Sequence, residues 1–145
     1  MKRKLALLAM AGVMMVGFAH ADGLNVIEVR QAGQDLFSAS FSGIRAVVAA
    51  KGDVKTVAPA AAAMARWMRS YPSLFPVGSD KGNNTKALPT VWSDPAGFQK
   101  FASQLAEEAD KMAQSAKAGD TDGVTVQIKA VGEVCVACHK TYRAT

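Results

Sequence analysis

The chain has 145 residues, half of them hydrophobic, with 17 Lys and Arg against 12 Asp and Glu, a formal charge of +5. That length suits a leader and one modest domain. The positive balance carries no basic cluster, which argues against nucleic acid as a partner, and no segment after the first 21 residues is long and apolar enough to span a bilayer.

The first 21 residues read as a secretory signal peptide. Lys2, Arg3 and Lys4 open it, Leu5 to Phe18 is an apolar or Gly run, and Ala19-His20-Ala21 is a small-x-small cleavage signature. The run is shorter than the ~20 residues a membrane anchor needs. Cleavage after Ala21 leaves residues 22–145 as one domain in the periplasm. Three of the basic residues and none of the acidic ones leave with the leader, so 14 basic residues face 12 acidic ones, a net +2.

Four stretches of the remainder have helical periodicity and none alternates, which predicts an all-α class. The first helix is expected from Leu24 to Ala50, with Val26, Val29, Gly33, Leu36 or Phe37, Ser40, Ile44 and Val47 or Val48 recurring at three- and four-residue spacing. Lys51-Gly52-Asp53 should end it, with Gly in the stop position. A second helix, Val54 to Ser70, puts Val57, Ala61, Met64 and Met68 on one stripe, and Pro59 sets where its regular part begins.

Residues 71–93 read as a long connection broken by Pro72, Pro76, Gly78, Gly82-Asn83-Asn84 and Pro89. A loop of this length in a small domain often has a function, and Phe75 and Trp92 on it are expected to pack on the bundle or a cofactor. Ser93 or Asp94 should cap a third helix with Pro95 in its first turn. Phe98, Phe101, Leu105, Ala109, Met112 and Ala116 form its stripe, and Gly119 stops it. A fourth helix follows Asp120-Thr121-Asp122, with Val124, Ile128, Val131, Cys135, Cys138 and Tyr142 as its seam. Four amphipathic helices with one long connection, between the second and third, predict an antiparallel up-down-up-down four-helix bundle.

The specific chemical signal is Cys135-Val136-Ala137-Cys138-His139. In a Cys-x-x-Cys-His motif the thiols add across the two vinyl groups of haem and the His ligates the iron. On a helix, residues i, i+3 and i+4 share a face, so both sulfurs can grip one porphyrin edge with the imidazole beneath the ring. Three plainer readings compete. A Cys135–Cys138 disulfide is the default in an oxidising compartment, yet redox Cys-x-x-Cys sites sit in a βαβ context and leave His139 unexplained. A structural zinc wants four ligands, and the mature chain offers Cys135, Cys138 and His139. Cysteines are also often plain core residues. Haem c, held through Cys135 and Cys138 with His139 on the metal, accounts for most of the pattern.

The leader, the four-helix pattern and the C-terminal Cys135-Val136-Ala137-Cys138-His139-Lys140-Thr141-Tyr142-Arg143 together resemble the class II c-type cytochromes, the cytochrome c′ family. The resemblance covers essentially all of the mature chain, including the Gly/Pro-rich second loop, Phe75 to Gly82 and Ala87 to Asp94. It implies that Arg143 stands beside the proximal His and that Arg30 meets a haem propionate; the plain alternative for each is a solvated helix charge. Lys140 is read as surface charge. The departure from the family lies at Gln34, four residues after Arg30, where low-spin members have Met and typical members an apolar residue. Gln34 is expected to hydrogen-bond a distal ligand or water, or to face solvent while Leu36 or Phe37 covers the haem. Met64, Met68 and Met112 are read as core filler.

The function expected is electron transfer with redox partner proteins, without enzymatic activity, since no second His and no carboxylate pair attends the motif. The alternative is a five-coordinate haem that binds nitric oxide or carbon monoxide for sensing, storage or protection. The family's dimers imply a homodimer through the first two helices, with Phe41, Ile44 and Val48 compatible with that face.

Overall fold

The computed structural model describes residues 25–145; the leader and its cleavage point lie outside the described residues. Helix α1, Val26–Ala49, starts where the Asn25 side chain accepts the Ile27 N–H at 3.1 Å, with Glu28 favourably placed in the first turn. It ends in paired bonds, Lys51 N to Val48 O at 3.0 Å and Gly52 N to Val47 O at 2.9 Å. The left-handed residue is Lys51, φ 54°, and not the expected Gly52. Gly52 serves close approach instead, because a Cβ there would sit 3.3 Å from Val47 Cγ1.

The buried face of α1 follows the expected stripe at Phe37 and Ile44 and departs from it in the first turns, where Ile27 and Arg30 are buried and Val26 and Val29 only partly so. Ile27, Arg30, Phe37 and Ile44 point inward, whereas Leu36 is 70% exposed. An apolar pattern passes over Arg30, which folding buries.

Helix α2 is Ala58–Ser70, and the Val54–Val57 segment expected as its beginning winds as a 3-10 turn. Pro59 has no N–H for the Lys55 carbonyl, which accepts from Ala58 instead. Val57, Ala61, Met64 and Met68 are all buried as the stripe requires. Residues 71–93 are more ordered than a bare loop. Tyr71–Leu74 forms a second 3-10 turn and α3, Thr90–Ser93, is one helical turn.

Helix α4, Pro95–Ala118, and helix α5, Thr121–Tyr142, are bounded as expected. Asp94 accepts the Gly97 N–H at 3.0 Å, Asp120 accepts the Gly123 N–H at 2.9 Å, and Gly119 takes the left-handed turn at φ 79°. Among the described residues the long helices make a four-helix bundle. Ala61, Ala65, Ala102, Ala106 and Ala109 are each at most 3% exposed, and they let α2 and α4 approach closely.

The connection is tied to the end of α5. Leu88 N donates to Tyr142 O at 3.0 Å, Ala144 N to Lys86 O at 2.8 Å, and the Thr90 hydroxyl to Thr141 O at 2.6 Å. A smaller core of Val91, Phe98 and Tyr142 fills this end, with Tyr71, Phe75, Trp92, Phe101 and Cys138 against it.

The Tyr142 hydroxyl donates to Asp94 Oδ2 at 2.6 Å. That bond, with the Gly97 N–H, holds the Asp94 carboxyl below its ordinary range, and it pushes Tyr142 up to about 12. Asp94 therefore adds stability above the ordinary carboxylate pKa, lost as pH falls through the depressed one. Tyr142 adds stability that is fully present below about pH 10 and fades up to about 12. Urea denaturation across pH should give Tyr142→Phe a shallower fall on both limbs than the parent. Parallel profiles would contradict the pairing.

Candidate functional site

A cavity of about 510 Å³ opens where α1, α4 and α5 meet the connection. From α5 it receives Cys135, Cys138 and His139, which the i, i+3, i+4 spacing brings to one face. Phe37, Phe41, Phe75, Phe98 and Leu105 form apolar wall opposite and around them. The volume lies within the usual range of cofactor pockets, and mostly apolar walls with a few convergent polar groups are the usual lining.

The two cysteines are free thiols, half-buried. Burial pushes Cys135 up, and burial with the neighbouring Cys135 pushes Cys138 to about 11, so both are protonated at neutral pH. Burial first, and then the Arg143 charge, push His139 down. The imidazole is thus kept neutral, the form that ligates a metal. Among the described residues no group of three or more His, Cys, Asp and Glu side chains is arranged to hold a metal ion by itself.

Arg143 caps the end of α5, its N–H donating to His139 O at 3.1 Å, and it lines the cavity one turn from the imidazole. Arg30 lines the cavity too, but it is not a solvated charge. It is 2% exposed and donates to Leu74 O at 3.3 Å, Ser79 Oγ at 3.0 Å, Ser79 O at 2.8 Å and Thr85 Oγ1 at 2.8 Å. Its guanidinium also lies 4.3 Å from the Phe75 ring centre. Among the described residues it makes no salt bridge. A buried cation facing neutral groups at the edge of an apolar cavity suits a ligand that brings its own anionic groups, as the haem carboxylates would.

Gln34 lines the cavity, with Nε2 3.8 Å from Met68 Sδ and the amide against the Tyr71 hydroxyl. Phe37 lines the cavity and Leu36 does not, so of the pair expected to cover the cofactor only Phe37 is placed to do so; Leu36 follows the outer face of α1. Met64 and Met112 are core, whereas Met68 is both core and cavity wall.

Tyr71 and Thr85 line the cavity but escaped the sequence reading, as did Ser79, which holds Arg30 in place. Tyr71 continues the α2 stripe Val57, Ala61, Met64, Met68 at the same alternating spacing, a signal hidden by treating it as the start of the loop. Ser79 and Thr85, which bind Arg30, carry no local signal.

The family model for Cytochrome C′ matches residues 25–143. The chain is 31% identical to cytochrome c′ of Rubrivivax gelatinosus over 121 residues, 82% of this chain and 94% of that one, and the crystal structure of that protein superposes with a TM-score of 0.74. Cytochrome c′ from Thermochromatium tepidum superposes at 0.75 with 28% identity, covering 83% of this chain and 95% of its own. A nitric oxide complex of a cytochrome c′ variant from Alcaligenes xylosoxidans superposes at 0.73 with 25% identity, over 83% and 94%. Motif, cavity and bundle thus coincide with a family match over nearly every described residue, and the chain belongs to the cytochrome c′ family of haem proteins.

Proposed function

We propose that the chain, exported to the periplasm and cleaved after Ala21, holds one haem c through thioethers to Cys135 and Cys138, with His139 on the iron, and carries electrons between redox partner proteins. The observation that supports this most is the convergence of those three side chains on one cavity whose remaining wall is largely apolar. Haem supplies the ferric–ferrous couple. The protein's residues bind and shield it: the thiols fix the edge, the neutral imidazole is oriented by its place in α5, and the aromatic wall excludes water. Burial and axial ligation would then set the potential. Arg143 and Lys86 line the cavity and bring positive charge to it, which suits weak docking of an acidic partner.

A second reading, binding of nitric oxide or carbon monoxide, draws support from the nitric oxide complex of the Alcaligenes xylosoxidans relative. Absorption spectra of the reduced holoprotein with and without carbon monoxide separate the two. Electron transfer alone predicts a sharp low-spin spectrum indifferent to carbon monoxide. Rapid spectral change on adding it would replace that reading with gas binding.

A homodimer through the first two helices, α1 and α2, belongs to the same proposal. Ile44 is buried and cannot serve it, whereas Phe41 and Val48 are only partly buried. The outer face of α1 also offers Ala32, Leu36, Ala39 and Gly43.

A further inference from the structure

The cavity wall carries a polar pair from two different helical segments, Gln34 of α1 and Tyr71 just beyond α2. We propose that Gln34 and Tyr71 donate hydrogen bonds to an exogenous haem ligand, so that this site favours small anionic ligands over carbon monoxide. The inference rests on the proposed haem site in its second reading, with an iron open to an exogenous ligand, and names the ligand class that site prefers.

The Gln34 amide has two N–H donors. It meets Met68 Sδ at 3.8 Å, a weak acceptor, and the Tyr71 hydroxyl, which can accept from it and still donate its own proton onward. A negatively charged acceptor makes a stronger bond than the thioether sulfur and would displace it.

Tyr71 is rigidly placed. Its ring centre is 5.0 Å from that of Phe75, 5.8 Å from Trp67 and 6.1 Å from Phe98, so the hydroxyl cannot swing away without breaking aromatic packing. Burial pushes Tyr71 above its ordinary range, which keeps the O–H proton in place as a donor.

Polarity and donors around an open haem position decide which ligands bind. Carbon monoxide carries little charge and gains little from a donor, while fluoride gains a charge-assisted bond.

The test uses the holoprotein with Gln34→Leu and Tyr71→Phe, titrating the ferric form with fluoride and the ferrous form with carbon monoxide. Each variant should bind fluoride about tenfold more weakly or worse, as loss of one bond to a charged group implies. Carbon monoxide affinity should change by less than about threefold. Fluoride affinity unchanged in both variants overturns the proposal, as do equal losses for both ligands, which would mark a change of cavity shape. A parent protein with bound haem that takes neither ligand also overturns it, with Met68 then the candidate for the sixth position. In that case haem attachment stands, whereas absence of haem would remove the site itself.

Discussion

Arg30→Met is expected to lower the unfolding free energy by about 3 kcal/mol. Arg30 donates four hydrogen bonds from α1 to residues 44 to 55 positions further along the chain. Loss of a bond to a charged group costs ~1.5–3 kcal/mol, and bonds in one network do not add fully, so the sum is capped well below four times that. Met fills part of the side-chain volume but loses the guanidinium over the Phe75 ring and leaves the buried Ser79 carbonyl and hydroxyl short of a donor. Arg30→Lys should recover only part of the loss, because an ammonium cannot span both loop residues as the planar fork does. Urea denaturation measures both, and a loss under about 1 kcal/mol for Arg30→Met would show that the connection is held by other contacts.

Gly33→Ala should destabilise by about 2 kcal/mol although Ala is the better helix former by ~1 kcal/mol. A Cβ at Gly33 would land in the six-membered ring of Trp67, and a stiff ring cannot yield as a flexible chain end would. Helix α1 must then back away from α2, carrying Gln34 with it. The effect should vanish or reverse in a Trp67→Leu background, where the propensity gain is left alone. A double-mutant cycle by urea denaturation reads this directly. Equal effects in both backgrounds would mean that the close approach is not what keeps Gly at this position.

Local chemistry explains why so much of the bundle can be read from the chain. Asp94 with Pro95, Gly119 and Asp120 mark their helix ends through bonds spanning a few residues, and these ends fall where they are expected. The thiols and His139 converge because spacing on one helix suffices. What is less legible depends on partners far away in sequence. Arg30 can be buried because Leu74, Ser79 and Thr85, 44 to 55 residues away, accept its hydrogen bonds, and of the expected pair Leu36 or Phe37 it is Phe37 that turns inward. Lys51 takes the left-handed conformation beside an available Gly52 because the paired bonds to Val47 and Val48 fix which residue must turn. Tyr71 is hidden by Pro72, which reads as a breaker although the 3-10 turn carries the α2 stripe one step further.

The central claim is covalent attachment, and mass spectrometry of the intact protein after acidic acetone extraction tests it most directly. Expressed with an export pathway and cytochrome maturation machinery, the 22–145 chain should retain the mass of one haem, and the peptide containing Cys135 and Cys138 should carry it. A chain of bare polypeptide mass, or one lighter by two hydrogens from a Cys135–Cys138 disulfide, would contradict the account.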